Sequence, residues 1–356
     1  MVKARPGPWG EVEYVRIVIE PPDEFMASDY NAAPDTWNFP GFDDARLEQL
    51  WQQAALDPDQ LRALRHPRIR EASATGIVLR PGQTLVAGLG TESRAIIYNT
   101  LAHLPGNSLQ NDPFRFRAEM VDEWFVESGL SQEVIARIRQ LLYRRGNALL
   151  FSDPGLVFPL IHTAGGRVRL VKTLGRKSTL LLKVRIRPDS DIEGIAAYWS
   201  TGRRRKEVRP LLNSLSHFPG GMTIDVAHLL PRLARSLLYT YPSPEVPYER
   251  SPDCHWTAMN FFNDQPDDRF SDIEYLKTRL LSDYVQVNGN PTMGDLLLLC
   301  KPGDEVIHSC VYVADDIVFT KNGQSAMVPW TLTTLQDLQA NYLDDPSLQL
   351  RIYRMK

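Results

Sequence analysis

The chain has 356 residues, of which 43% are hydrophobic and 23% charged, and its formal net charge is -3. This length favours two domains, and the composition is typical of a folded globular protein. A net charge so close to zero gives no basic field over the whole chain, so nucleic-acid binding would need a local patch. No stretch approaches the roughly 18 apolar residues that a membrane span requires.

The N-terminus and the cysteines bear on compartment and on bound groups. The first residues run into Gly7-Pro8-Trp9-Gly10 without the apolar segment of a secretory signal, so the sequence predicts a cytoplasmic location, or an extracytoplasmic one if a signal has been trimmed away. Cys254, Cys300 and Cys310 form a small, odd set, which argues against a disulfide framework. They include no Cys-x-x-Cys pair and have no His at zinc-ligand spacing, so we expect neither a metal nor another cofactor.

The N-terminal region changes character near residue 45. Residues 1–45 are rich in Pro, Asp and aromatic residues and predict an irregular arm with at most one strand, at 14–19. Apolar residues at helical spacing follow over 43–65, where Asp57-Pro58-Asp59 interrupts the pattern and begins a second short helix. The helical pattern returns over 91–104.

A mixed pattern continues through the middle of the chain. Two helices are expected within 118–145, the second with Ser131 as its N-cap and Gly146 at its end. Beyond them the patterns predict strands over 148–151, 168–171 and 179–186, and helices over 192–199, 208–215 and 226–238. We therefore interpret residues 46–240 as a mixed α/β domain of unknown topology.

A Pro-rich stretch at 241–247 is typical of a domain joint, so we expect residues 241–356 to form a separate domain. In that region one helix is predicted to start at Asp253-Cys254 and run to Phe262, and a second lies near 272–281. Strands are then expected over 295–300, 308–313, 317–320 and 348–353, with a helix over 330–338. Helices followed by antiparallel strands predict an α+β fold.

Cys254 and His308 are the candidate catalytic residues. A thiol at the start of a helix gains thiolate character from unpaired backbone N–H groups, and Cys254 has that position. His308 opens a predicted strand and is the best candidate for its base. The base needs a third polar group to fix its tautomer, and Asn322, with Thr320 as its rival, stands at the end of the next strand.

Three segments resemble the NlpC-type bacterial cell-wall peptidases, a branch of the papain-like superfamily. Asp253-Cys254 before a helix is similar to the family's Asp-Cys motif, and Met293-Gly294-Asp295-Leu296 is similar to its Pro-Gly-Asp-Leu strand. Ile307-His308-Ser309-Cys310-Val311-Tyr312 resembles the family's His-Val-Gly-Ile-Tyr strand. The three occur in the family's order within the last 115 or so residues, a combination more specific than any one motif. The resemblance implies a papain-like domain at 241–356 and does not extend upstream of about residue 241.

What the resemblance implies is a cysteine peptidase or amidase that cleaves peptidoglycan stem peptides or related amides. His255 and Trp256 replace the family's Ser-Gly after the Cys, so we expect them to line and narrow the cleft. Tyr248 resembles a Tyr that precedes the Cys in the family, although the spacing is shorter. Two other functions stay open: a degenerate module that binds a cell-wall or peptide ligand without cleaving it, and an acyltransferase that uses the same Cys-His pair.

One basic feature lies in the middle region. Lys183, Arg185 and Arg187 alternate with apolar residues, which puts three cations on one face of a strand, and Arg203-Arg204-Arg205-Lys206 follows. An anionic ligand such as a wall polymer, a nucleic acid or lipid head groups would suit such a surface. A solvated edge strand protected by charge explains the same residues, and we favour that interpretation.

Overall fold

A computed structural model describes residues 1–23, 36–73, 75–146, 148–201, 204–342 and 347–356. The strands are β1 (Val2–Lys3), β2 (Glu11–Ile19), β3 (Trp37–Pro40), β4 (Arg70–Ser73), β5 (Gly76–Leu79), β6 (Phe114–Arg117), β7 (Tyr143–Arg145), β8 (Ala148–Phe151), β9 (Lys177–Ile186), β10 (Met222–Asp225), β11 (Tyr284–Val287), β12 (Leu296–Cys300), β13 (Val306–Ala314), β14 (Ile317–Lys321), β15 (Trp330–Thr334) and β16 (Gln349–Met355).

The α-helices are α1 (Asp44–Gln53), α2 (Pro58–Leu64), α3 (Gln83–Gly88), α4 (Thr91–Leu101), α5 (Ser108–Asn111), α6 (Val121–Trp124), α7 (Gln132–Leu141), α8 (Ala164–Gly175), α9 (Ile192–Ser200), α10 (Arg205–Ser216), α11 (Arg232–Leu237), α12 (Cys254–Met259), α13 (Ile273–Asp283) and α14 (Leu335–Asn341). The strands of each sheet pair antiparallel, so the fold is α+β, as predicted.

The chain forms two compact units, one of Met1–Phe25 with Arg176–Lys356 and one of Met26–Gly175. The boundaries expected after residues 45 and 240 do not coincide with this division. Strand β2, which lies in the predicted irregular arm, pairs with β9 from Glu11↔Arg185 to Ile19↔Lys177. The N-terminal residues therefore complete a sheet of the unit that also holds the C-terminal region.

The first unit contains two antiparallel sheets, of order β1-β2-β9-β10 and β11-β16-β12-β13-β14-β15. In the six-stranded sheet, β12 lies between β13 and β16, and all five of its residues are buried. An unbroken apolar run is what a central strand of a covered sheet requires. Helix α12 packs on β13 and β14 of this sheet, where Phe261 just beyond the helix contacts Phe319 at 5.6 Å between ring centroids.

Two of the sequence motifs pair with each other at the start of β12. The backbone N–H of Gly294 donates to Tyr312 O at 2.9 Å, and the N–H of Tyr312 donates to Asp295 O at 2.9 Å. Gly294 has φ +90°, and a Cβ there would lie 2.1 Å from the ring of Phe262, so this position needs glycine. The Asp295 carboxylate accepts from Arg354 Nη2 at 2.6 Å. This motif therefore serves the architecture of the sheet.

The second unit contains two three-stranded antiparallel sheets, of order β3-β5-β4 and β6-β8-β7. A fully buried ion pair joins Arg94 of α4 to Asp153, and the hydroxyl of Tyr98 donates to the same carboxylate at 2.5 Å. Arg94 Nη2 also donates to Val86 O at 2.6 Å. These contacts tie α3, α4 and the segment after β8 together inside the core.

Several local predictions are confirmed by cap geometry. Ser131 accepts from the N–H of Val134 at the start of α7, and Asp57 forms a capping box with Gln60 at the start of α2. Gly146 does not end a helix, since α7 ends at Leu141 and β7 follows; Gly146 has φ +53° in the turn between β7 and β8.

Other local predictions are wrong. The strand expected at 168–171 lies within α8, whose buried Leu170, Val171 and Leu174 have helical spacing. A helix is expected over 330–338, but Trp330–Thr334 forms strand β15. Helix α14 begins only at Leu335, with Thr334 as its N-cap. The helix expected over 226–238 is a 3₁₀ turn at Val226–His228 followed by α11. Along the described ranges, no helix combines the length and apolar character needed to cross a bilayer.

Candidate functional site

Cys254 is the first residue of α12, a helix of six residues that ends at Met259 rather than Phe262. Asp253 caps this helix by accepting from the N–H of Trp256 at 2.7 Å. The Cys254 side chain is free of any disulfide and only 6% exposed. Burial, and then the charge of Asp253, raise the pKa of the thiol to about 12, against the opposing effect of backbone N–H groups that include that of Ser309. The thiol is therefore neutral near pH 7.

His308 lies on β13 and is completely buried. Its Nε2 is 2.9 Å from Thr320 Oγ1, and its Nδ1 is 2.5 Å from the hydroxyl of Tyr342. Burial, and then the charge that His255 would carry, lower the pKa of His308 to about 3. The imidazole is therefore neutral near pH 7, and both of its nitrogens have partners.

Thr320, rather than the favoured Asn322, is the residue that contacts His308. The hydroxyl of Thr320 in turn donates to Asn322 Oδ1 at 3.3 Å. Asn322 therefore acts on the imidazole only through Thr320. Thr320 lies within β14 and is fully buried, whereas Asn322 follows the end of that strand and is half-buried.

The side chains of His308 and its neighbour Ser309 leave β13 on opposite faces of the sheet, because successive residues of a strand alternate. Ser309 faces α12, since its hydroxyl lies 2.7 Å from His255 Nδ1. Val311 has the same orientation as Ser309 and pairs with Phe319 of β14. Phe319 contacts Phe261, which follows α12, so this is the face that α12 covers. His308 and Thr320 therefore share the other face. Among the described residues, no hydrogen bond joins Cys254 to His308.

The three residues expected to bind substrate have different surroundings. Trp256 is 4% exposed, packs against Trp330 with 6.4 Å between ring centroids, and donates to Asp268 at 3.2 Å. It belongs to the core and does not line an open cleft. His255 is half-buried, and burial lowers its pKa. Tyr248 is 64% exposed in a 3₁₀ turn, where it is free to meet a ligand.

The sequence did not single out Tyr342, Ser309 or Lys321, although all three belong to this cluster. Lys321 is completely buried and donates to Gly323 O at 2.6 Å and Ser325 O at 3.0 Å. Burial lowers the pKa of Lys321 to about 8, while the nearby Asp253 and Cys254 act to raise it. Lys321 is the last residue of β14 and precedes Asn322-Gly323, so neither it nor Tyr342 has a local sequence pattern that indicates its burial.

The other two cysteines are buried in strands, as predicted. Cys310 lies 3.7 Å from Leu297 O, and burial raises its pKa above the ordinary range. Cys300 is 3.8 Å from Leu298 O in β12. Both therefore belong to the hydrophobic core of the sheet.

The cations on β9 face acidic partners. Lys183 is directly opposite Glu13, and Arg185 is opposite Glu11, while Arg187 forms an ion pair with Glu11 at 2.8 Å. These neighbours balance the charge of the cations, which supports the interpretation of a solvated face, but the expected edge strand is wrong because β9 lies between β2 and β10. In the following run, Arg203 lies outside the described residues. Arg204 and Arg205 form ion pairs with Glu207 and Glu193 respectively.

A cavity of about 700 Å³ lies between the N-terminal residues and the start of α9, lined by Lys3, Glu11, Arg187 and Asp191 among others. None of the residues predicted to act in catalysis lines it. The Cys254 region is, by contrast, closed around its thiol. In the described ranges, no group of His, Cys, Asp and Glu side chains is arranged to hold a metal ion.

Comparison with known proteins found no relative of this chain. No family model, no curated protein and no solved structure matches the chain. What the site can do is therefore argued from its chemistry, which joins a buried thiol, a buried imidazole and a hydroxyl that holds one nitrogen of that imidazole.

Proposed function

We propose that the chain is a cysteine hydrolase of the papain-like type that cleaves a peptide or amide bond, with Cys254 as nucleophile and His308 as base. The main support is the polar chain from His308 through Thr320 to Asn322, with distances of 2.9 Å and 3.3 Å. It supplies the orienting group that a Cys-His pair requires. Cys254 is near the same strand, because the backbone N–H of Ser309, the residue after His308, acts to lower the pKa of its thiol.

In this structure the imidazole of His308 leaves β13 on the face away from α12, so the proposed reaction requires a rearrangement that brings Nδ1 of His308 to the thiol of Cys254. His308 Nδ1 takes the thiol proton while the sulfur of Cys254 attacks the carbonyl carbon. The imidazolium then protonates the leaving amine, and a thioester remains on Cys254. Water attacks the thioester, its proton passes to His308, and the acid leaves as the thiol is restored. In this structure Nε2–H is directed at the hydroxyl of Thr320, which leaves Nδ1 as the acceptor.

On this proposal, the neutral thiol of Cys254 and the neutral imidazole of His308 correspond to the resting form of the enzyme. Burial raises the pKa of the Cys254 thiol and lowers that of the His308 imidazole, so both groups are neutral near pH 7 in this structure. Activation therefore requires a change in the surroundings of the pair, which a substrate that enters beside Cys254 would supply. Peptidoglycan stem peptides are the substrate class proposed first, because three segments of the chain resemble cell-wall peptidases.

The proposal is tested with soluble muropeptides, whose cleavage is followed by mass spectrometry. Cys254→Ala and His308→Ala are each expected to lower turnover at least about 10³-fold, as removal of a nucleophile or its base does in other hydrolases. Cys300→Ala is the matched control, since it also removes a buried thiol, and it should retain activity. Turnover in Cys254→Ala equal to that of the wild type would exclude this mechanism.

A second candidate function is a module that binds a peptide or cell-wall ligand without cleaving it. It is favoured by the two occupied nitrogens of His308, since an imidazole with Tyr342 and Thr320 as partners serves equally well as part of a stable core. Calorimetric binding of muropeptides with no product after prolonged incubation would support this function. Product formation that depends on Cys254 would rule it out.

A further inference from the structure

The contacts of His308 define the direction of each hydrogen bond. Thr320 donates its hydroxyl proton to Asn322 Oδ1, so its oxygen accepts from His308 Nε2–H. A neutral imidazole has one donor nitrogen and one acceptor nitrogen. Nδ1 is therefore the acceptor, and the hydroxyl of Tyr342 donates to it at 2.5 Å. The same nitrogen is the one that would take the proton of Cys254.

Tyr342 is placed to make this contact by α14. Thr334 caps the start of that helix, and Asp337 within it forms an ion pair with Arg16 of β2 at 2.6 Å. Tyr342 follows the last residue of α14, and its ring lies 5.0 Å from that of His308. The ion pair with Arg16 therefore holds the first turn of α14 in place, whereas Tyr342, which contacts the imidazole, follows the last turn of that helix.

We propose that Tyr342 is an autoinhibitory latch, whose hydroxyl occupies the acceptor nitrogen of His308 and must leave before that nitrogen can serve Cys254. This inference rests on the proposed function, because it assigns regulation to the same Cys-His pair. Tyr342, Thr320 and His255 are the polar groups that act on His308 from α14, β14 and α12. Among the residues that the structure describes, Tyr342 is the one that contacts Nδ1.

The test compares the full-length wild type with Tyr342→Phe, which removes the hydroxyl and keeps the ring. Alkylation of Cys254 by iodoacetamide at pH 7 is expected to rise about tenfold, since one ordinary hydrogen bond no longer competes for Nδ1. Tyr342→Leu should give the same gain, and the fold of each variant is checked by circular dichroism. Tyr353→Phe, on β16, is the matched control and should label at the wild-type rate.

The gain must depend on His308. The double variant Tyr342→Phe with His308→Gln is expected to return to the wild-type labelling rate, and ¹⁵N NMR should show a higher pKa for His308 in Tyr342→Phe than in the wild type. An unchanged His308 titration together with unchanged labelling in both Tyr342 variants would overturn the latch. A gain that persists without His308 would also overturn it.

The latch and the proposed function fail in different ways. Faster, His308-dependent labelling without any muropeptide cleavage would support the latch and exclude the hydrolase. Cleavage that depends on Cys254, with no change in labelling or titration in Tyr342→Phe, would keep the hydrolase and exclude the latch.

Discussion

At the scale of single residues, burial decides the state of the candidate site. Cys254, His308 and Lys321 are ionisable groups in a sheet whose neighbours are apolar, and in each case burial is the largest cause of the pKa shift. Burial favours the neutral form of every group. In the described part of the chain, the hydrogen-bond partners of His308 and Lys321 are hydroxyls and backbone carbonyls.

His308 should make the protein sensitive to acid. Its pKa is about 3 in the folded state and about 6.5 when exposed, so between these values the unfolded chain binds more protons. The free energy of unfolding should therefore fall by about 1.4 kcal/mol per pH unit as the pH drops from 6.5 towards 3. Urea unfolding at a series of pH values measures this slope.

In His308→Gln the free energy of unfolding should no longer show this fall with decreasing pH. His217→Gln, at an exposed position of the same unit, should still show it. Equal slopes for the wild type and His308→Gln would show that His308 is not held neutral by the fold.

The ion pair of Arg94 and Asp153 should be essential to the second unit. Asp153→Ala leaves the buried guanidinium without its counter-ion, which is expected to cost about 3–5 kcal/mol. Lys277→Ala, which removes an exposed pair with Glu274, should cost less than about 1 kcal/mol. The free energies of unfolding of both variants test this contrast, and a cost for Asp153→Ala as small as that of the exposed pair would contradict it.

At the scale of elements, cap residues and strand alternation explain which local predictions succeed. Ser131 and Asp57 act within three residues of themselves, so a short window of sequence contains the whole interaction. The alternation in β9 is likewise visible in the sequence, because one of its faces is buried and the other carries cations.

Ser131→Ala should weaken α7 by about 1 kcal/mol, since the N–H of Val134 loses its acceptor. Ser131→Asp should retain the stability, because a carboxylate caps as well and suits the start of a helix. Thermal unfolding of the two variants measures the difference. A melting temperature for Ser131→Ala equal to that of Ser131→Asp would show that the cap contributes nothing.

Other elements are decided by partners far along the chain. Trp330–Thr334 is a strand because it pairs with β14 and because Thr179 of β9 bonds to both the N–H and the C=O of Leu332. The sequence predicts that His308 begins a strand, but which of His308 and Ser309 faces α12 depends on how the helix packs. Tyr342 reaches the site from 34 residues away, which no local pattern could indicate.

At the scale of the whole molecule, the unit that holds the candidate site is assembled from both ends of the chain. The sequence composition changes at the Pro-rich stretch 241–247, but the structure has no domain boundary there. Tyr239, just before it, donates its N–H to Trp330 O at 2.9 Å, and its hydroxyl donates to Leu180 O at 2.7 Å. The sheet built on β9 and the sheet that holds His308 therefore share one hydrophobic core.

A fragment of residues 241–356 is therefore expected not to fold by itself, because it exposes the edge and the core surface that β9 covers. Residues 1–25 supplied together with 176–356 through a flexible linker should fold, as both sheets are then complete. Circular dichroism melting curves of the two proteins compare them. A cooperative transition in the 241–356 fragment would restore the domain boundary predicted from the sequence.

The most direct test of the proposed mechanism is detection of an acyl group on Cys254. The protein is mixed with soluble muropeptides, quenched in acid and mapped by mass spectrometry, with Cys300→Ala and Cys254→Ala treated in parallel. We expect a thioester on Cys254 in the wild type and in Cys300→Ala, and none in Cys254→Ala. Muropeptide cleavage without any adduct on Cys254, or cleavage that persists in Cys254→Ala, would contradict its role as the nucleophile.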